Sequence, residues 1–121
     1  MNQRFDNQVV MVTGAASGIG AVIARHFADA GARLMLSDVN EKQLTAVAED
    51  IAASGHEMPT VKAGDLSKEE ISGAVIKSAI EAFGTIDVLV NNAGGGTIKP
   101  FLDHTPDTLR TTIDRNLWTT V

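Results

Sequence analysis

The feature that most constrains this chain is a rhythm: from Val9 onwards, short apolar runs alternate with longer stretches of helical period. "VVMVT" (Val9 to Thr13) is apolar on both faces and predicts a buried strand. "RLMLS" (Arg33 to Ser37) predicts a second strand, "TVKAGD" (Thr60 to Asp65) a third, and Ile86 to Val90 a fourth. From Gly18 to Ala30, the residues Ile19, Val22, Ile23, Phe27 and Ala30 recur at helical spacing, and Gly31 suits the position that ends a helix. Asn40 with Gln43 forms a capping box ahead of the stripe Leu44, Val47, Ala48 and Ile51, and Gly55 closes that helix. Ser67 with Glu70 predicts a second box ahead of Ile71, Ala74, Val75 and Ala79, with Gly84 at the end. Thr105 and Pro106 suit an N-cap and first helical position before Leu109, Ile113 and Leu117. Strands alternating with helices imply right-handed crossovers and a parallel α/β sheet. The expected strand order is 3-2-1-4, with about four helices in one domain spanning residues 1–121.

Composition narrows the function classes. Apolar residues are 44% and charged residues 21%, which suits a globular chain. The net charge of -5 argues against a nucleic-acid binder, which carries a basic face, and against a polybasic membrane-surface protein. It does not argue against a phosphate ligand, because a helix N-terminus holds an anion with backbone N–H groups. The absence of cysteine excludes disulfides and thiolate metal sites. His26, His56 and His104 have no metal-ligand spacing, so no metal is expected. "MNQRFDNQ" has no apolar signal-peptide core and no run is long enough for a membrane span. The expected location is cytoplasmic.

Four short motifs carry chemistry. "TGAASGIG" (Thr13 to Gly20) lies between the first predicted strand and its helix. Gly14 can turn sharply, Gly18 lets a phosphate approach the backbone, and Gly20 lets the helix pack close to the sheet. The bland reading is a βα loop with glycines for packing alone. Asp38 stands 18 residues after Gly20, at the end of the second strand. An acid there accepts hydrogen bonds from an adenosine ribose and repels a 2′-phosphate, which favours NAD over NADP. Ser37, Val39 and Asn40 offer no cation for such a phosphate. The alternative is an Asx turn in "DVN". "GDL" (Gly64 to Leu66) puts Asp65 where it could meet an adenine amino group or simply begin the turn into Ser67. "NNAG" (Asn91 to Gly94) puts two amides beside the first strand, where ligands sit in open α/β sheets. There the asparagines can tie neighbouring backbone together, and the alternative is a polar turn.

Together these motifs resemble the short-chain dehydrogenase/reductase family, and "IDRNL" (Ile113 to Leu117) resembles its helix segment with an active-site asparagine. The resemblance covers essentially the whole chain and implies a Rossmann-type, doubly wound parallel sheet. It implies that Gly14, Ser17, Gly18, Ile19 and Gly20 line a pyrophosphate. Asp38, with the Val39 backbone, would hold the adenosine ribose, and Asp65 and Leu66 would flank the adenine. Asn92, Ala93 and Gly94 would lie along the ribose and phosphate side. Asn116 would hold a water in a proton relay.

The family's acid/base is a tyrosine whose pKa a nearby lysine lowers, usually beside a serine, and this chain has no tyrosine. "VLV" (Val88 to Val90) is apolar on both faces and expects a neighbour on each side. "NLWTTV" carries no helix-ending signal. The expectation is therefore a truncated domain: the cofactor-binding N-terminal half of an NAD-dependent alcohol or carbonyl oxidoreductase. A small-molecule alcohol or ketone would be its substrate only at full length, and the family's habit implies a homo-oligomer. The alternatives are a catalytically inactive dinucleotide-binding half-domain and, with less support, a methyltransferase.

Overall fold

The computed structural model describes residues 4–93, 105–107 and 110. Its first strand, β1, runs Val9–Thr13 and is followed by helix α1, Gly18–Asp29. Strand β2 is Arg33–Asp38 and helix α2 is Glu41–Ala53. Strand β3 is Thr60–Ala63, helix α3 is Glu69–Phe83 and strand β4 is Val88–Val90. Pro106, Asp107 and Arg110 are also helical, in line with the expected fourth helix start. The four strands form one parallel sheet in the order β3-β2-β1-β4. This is the parallel sheet that the alternating pattern implied, in the doubly wound arrangement that the family resemblance implied.

Two apolar layers enclose the sheet. Val10, Val12, Leu34 and Leu36 pack on one face with α1 and α2, while Met11 and Met35 pack on the other with Leu66, Val75 and Ala79. The segregation follows from strand periodicity, because successive side chains alternate between faces. The stripe Leu44, Val47, Ala48 and Ile51 is buried as expected, since α2 lies flat against its layer.

Helix α1 departs from the sequence expectation. Its buried residues are Gly20, Ala21, Ala24 and Ala28, whereas Ile19 is 73% exposed and Val22 50% exposed. Small residues face the sheet because they let the helix backbone come close. The bulkier Ile23 and Phe27 pack only partly against the core, Phe27 edge-on to Phe5 with ring centroids 4.9 Å apart.

Helix ends also differ in detail. The Asn40 cap forms, with its Oδ1 accepting from Gln43 N at 3.0 Å. The reciprocal half of the box is replaced, because Asn40 N donates to Asp38 Oδ1 at 3.2 Å. The Ser67–Glu70 box does not form: Lys68 is the N-cap residue of α3, and Ser67 Oγ donates to Asp65 Oδ1 at 2.7 Å. Ala74 is exposed, so α3 buries only Val75 and Ala79 fully. Gly31, Gly55 and Gly84 all follow helix ends with positive φ.

Strand β4 is shorter than expected and is not buried on both faces. Ile86 lies before it, and Asp87 clamps the neighbouring strand start: its Oδ2 accepts from Val9 N at 2.8 Å and its N–H donates to Val9 O at 2.9 Å. Leu89 is 47% exposed, because among the described residues β4 pairs with β1 alone and nothing covers that side chain.

Candidate cofactor site

The carboxyl ends of β1, β2 and β4 meet at the "TGAASGIG" turn. Gly14 has φ +65°, a left-handed conformation that a side chain resists. A β-carbon there would lie 2.9 Å from Asn92 O. One on Gly20 would collide with the Gly14 carbonyl oxygen and lie 2.6 Å from Asn92 Nδ2. Both glycines are therefore demanded by close backbone packing. Gly18 differs. It has φ +57°, and a β-carbon there would meet nothing within 4 Å. The space over Gly18 is open to a ligand.

Ser17 is the N-cap residue of α1, extended at φ -160°, and its side chain makes no capping bond. The first turn of α1 has no acidic residue, while α2 carries Glu41 there and α3 carries Glu69 and Glu70. The positive end of the α1 dipole is thus not neutralised by its own side chains. An anion would meet backbone N–H groups with no carboxylate of that turn opposing it.

Asp38 joins this turn directly. Its Oδ2 accepts from Ala16 N at 2.9 Å, and the neighbouring Ala15 N donates to Ser37 O at 3.1 Å. The carboxylate is half-buried, so solvent reaches it from one side. Val39, next along, is 70% exposed. Ile19 and Val39 are thus two large apolar side chains left uncovered beside the turn and the acid.

On the other flank, Thr13 is the stitch. Its Oγ1 accepts from Asn92 N at 2.9 Å and from Ala93 N at 3.0 Å, and donates to Val90 O at 3.3 Å. Asn92 Nδ2 donates to Gly14 O at 3.3 Å. The asparagine therefore ties backbone together, as one reading of the sequence had it, and spends its amide N–H on the turn.

Asp65 and Leu66 sit after β3, Asp65 exposed and Leu66 only 6% exposed within the second apolar layer. Asp65 Oδ1 accepts from Ser67 N at 3.0 Å, which is the turn reading of "GDL". The Leu66 side chain points into the core, leaving its backbone rather than its side chain to face a ligand. Its carbonyl is engaged by Ser72 Oγ at 2.6 Å. Gly94 and Asn116 lie outside the described residues.

The structure thus brings Gly14, Ser17, Gly18, Gly20, Asp38 and Asn92 to one edge. Thr13, Ala15, Ala16 and Ser37 also hold this edge and were not singled out from sequence. Thr13 stood at the end of an apolar strand, where its hydroxyl gave no local signal. Ser37 Oγ is buried with no hydrogen-bond partner. Among the described residues there is no cluster that could hold a metal ion and no helix long and apolar enough to cross a membrane.

This geometry has relatives. The profile of the short chain dehydrogenases matches residues 8–121. The chain belongs to that family. It is 47% identical over 115 residues to the 2,3-dihydroxy-2,3-dihydro-p-cumate dehydrogenase of Pseudomonas putida strain F1, covering 95% of this chain and 44% of that protein. It is 41% identical over 100 residues to the 7alpha-hydroxysteroid dehydrogenase of Escherichia coli K12, covering 83% of this chain and 39% of that one. A crystal structure of a short chain dehydrogenase/reductase from Burkholderia phymatum in complex with NAD superposes with a TM-score of 0.90 at 30% identity, covering 96% of this chain and 41% of that one. The chain therefore spans less than half the length of these relatives. Membership of an oxidoreductase family sets the methyltransferase alternative aside.

Proposed function

We propose that these residues are the cofactor-binding part of a single Rossmann-type domain in an NAD-dependent oxidoreductase acting on an alcohol or carbonyl group. The observation that carries this reading is the Asp38–Ala16 contact, which puts a carboxylate suited to a ribose beside a turn suited to a pyrophosphate. The open space at Gly18 and the N-terminus of α1, whose own first turn carries no acid, fit the phosphates of a dinucleotide. Ser17, Gly18, Ile19 and Gly20 would line them, with Gly14 setting the turn. Asp38 and the Val39 backbone would hold the adenosine ribose, and Asp65 and the Leu66 backbone would border the adenine. Asn92, Ala93 and Gly94 would border the remaining ribose and phosphate, and Asn116 would hold a relay water. When bound, the dinucleotide supplies a nicotinamide that accepts a hydride from an alcohol or returns one to a carbonyl. NAD is favoured over NADP, because the Asp38 charge opposes a 2′-phosphate and the exposed neighbours Val39 and Asn40 bring no cation to it.

A second reading is a dinucleotide-binding unit without turnover of its own. It is favoured by the lack of any tyrosine to serve as acid/base among these 121 residues. Assembly as a homo-oligomer and a cytoplasmic location complete the proposal. Calorimetric titration of the full-length protein with NAD and NADP tests the binding reading, and NAD reduction by a panel of secondary alcohols tests the enzyme. Absence of binding of either dinucleotide would overturn both readings. Binding with no turnover of any alcohol or ketone would favour the second.

A further inference from the structure

We infer that Asp38 is also a positioning residue for the phosphate-facing turn, and that it acts on ligands that never touch it. The inference rests on the cofactor reading above and adds to it. Two consecutive N–H groups of the turn are held by two consecutive residues at the end of β2. Ala15 N donates to Ser37 O at 3.1 Å, and Ala16 N donates to Asp38 Oδ2 at 2.9 Å. Ala15 and Ala16 are both buried, so their N–H groups depend on acceptors supplied by the fold. The second bond is made to a carboxylate, which makes it the stronger kind. Ser17 and Gly18, the next two residues, begin α1 and carry the N–H groups that a phosphate would meet. Moving Ala16 moves them.

The same carboxylate reaches the other way. Asp38 Oδ1 accepts from Asn40 N at 3.2 Å, and Asn40 caps α2 through Gln43. One side chain therefore fixes the start of α1 relative to the start of α2. Both oxygens keep acceptor capacity, since a carboxylate has about four lone-pair sites. A ribose hydroxyl can be held from the solvent side without breaking either tie.

Charge alone predicts the opposite behaviour. A carboxylate beside an anion site repels the anion, so its removal should tighten a phosphate ligand. Asparagine separates the two effects, because it removes the charge and keeps an oxygen able to accept from Ala16 N. The experiment is to titrate reduced nicotinamide mononucleotide, which has a phosphate and no adenosine, into full-length protein, Asp38→Asn and Asp38→Ala. Positioning requires Asp38→Ala to bind it roughly tenfold more weakly than Asp38→Asn, the equivalent of one ordinary hydrogen bond's net worth. The Ala16 amide should also exchange with solvent faster in Asp38→Ala than in Asp38→Asn. Equal affinities with equal Ala16 protection would overturn the inference while leaving NAD binding by the unaltered protein intact. If the unaltered protein binds no NAD, the cofactor reading fails instead, and the Ala16 exchange rates still decide whether the tie holds the turn. Should Asp38→Ala not fold, the unaltered protein suffices: the Ala16 amide proton shift must follow the titration of the Asp38 carboxyl carbon, and independence of the two would overturn the tie.

Discussion

Thr13 and Asn92 lie 79 positions apart and meet at one hydroxyl, Thr13 Oγ1, which accepts from Asn92 N at 2.9 Å. The same oxygen accepts from Ala93 N at 3.0 Å. A single buried side chain on the central strand thus satisfies two backbone donors of the loop that follows β4. Thr13→Val keeps the shape and leaves both donors unpaired. It should destabilise the full-length protein by about 2–4 kcal/mol, at roughly 1–2 per orphaned donor. Urea unfolding measures this, and Thr13→Ser should recover most of the loss. A valine variant as stable as the parent would show that the loop does not depend on this oxygen.

Gly18 and Gly20 should separate binding from stability. A β-carbon on Gly20 would run into the Gly14 carbonyl, which is backbone and cannot swing away. Gly20→Ala should therefore cost about 2–3 kcal/mol of stability. At Gly18 only the left-handed φ opposes a side chain, so Gly18→Ala should cost about 1–2 kcal/mol. Its NAD affinity should nevertheless fall at least as far as that of Gly20→Ala, because the added methyl occupies the open space. Thermal melts paired with NAD titrations read both quantities. Unchanged NAD affinity in Gly18→Ala would remove the pyrophosphate from that position.

Cofactor choice is tested at Asp38. The ratio of NADP to NAD dissociation constants should be well above one in the parent. It should drop by roughly tenfold in Asp38→Ser, as the carboxylate that opposes a 2′-phosphate is lost. An unchanged ratio would assign the discrimination to some other group.

The open flank of β4 gives a prediction about association. Leu89 is 47% exposed on a strand paired on one side among the described residues. The 121-residue chain should self-associate as its concentration rises, and Leu89→Lys should suppress this. Light scattering distinguishes the cases. A clean monomer at high concentration would show that the edge is covered.

The same 121 residues, lacking tyrosine, should reduce no NAD with any alcohol, which an absorbance assay reports directly. Measurable turnover would require an acid/base of a different kind.

Much of this was legible in the sequence because it is local. Strands β1 and β2 announced themselves by unbroken apolar runs, the Asn40 cap by its spacing to Gln43, and the glycine turn by its place between strand and helix. What was not legible is tertiary. The inward stripe of α1 is Ala21, Ala24 and Ala28, and hydrophobic periodicity gave more weight to Ile19 and Val22. Close approach to the sheet selected small residues over apolar ones. Ser67 had the right partner three residues on, yet Asp65 took its hydroxyl and moved the helix start to Glu69. In the site, Asp38 carried a signal of its own, whereas Thr13 and Ala16 matter only through partners that chain order keeps far away.

The stitch at Thr13 also sets a sequence of events in time. The glycine turn leaves the ribosome early, but two of its constraints, the bond from Asn92 Nδ2 to Gly14 O and the pairing of Thr13 Oγ1, come from residues made almost eighty positions later. Chains emerge N-terminus first, and parallel pairing across such a separation is slow to form. Until β4 docks beside β1, the nascent chain carries the complete glycine motif without its finished shape. A ligand that binds the finished turn would therefore reward the docking of β4, and its supply during synthesis would act on the yield of folded protein.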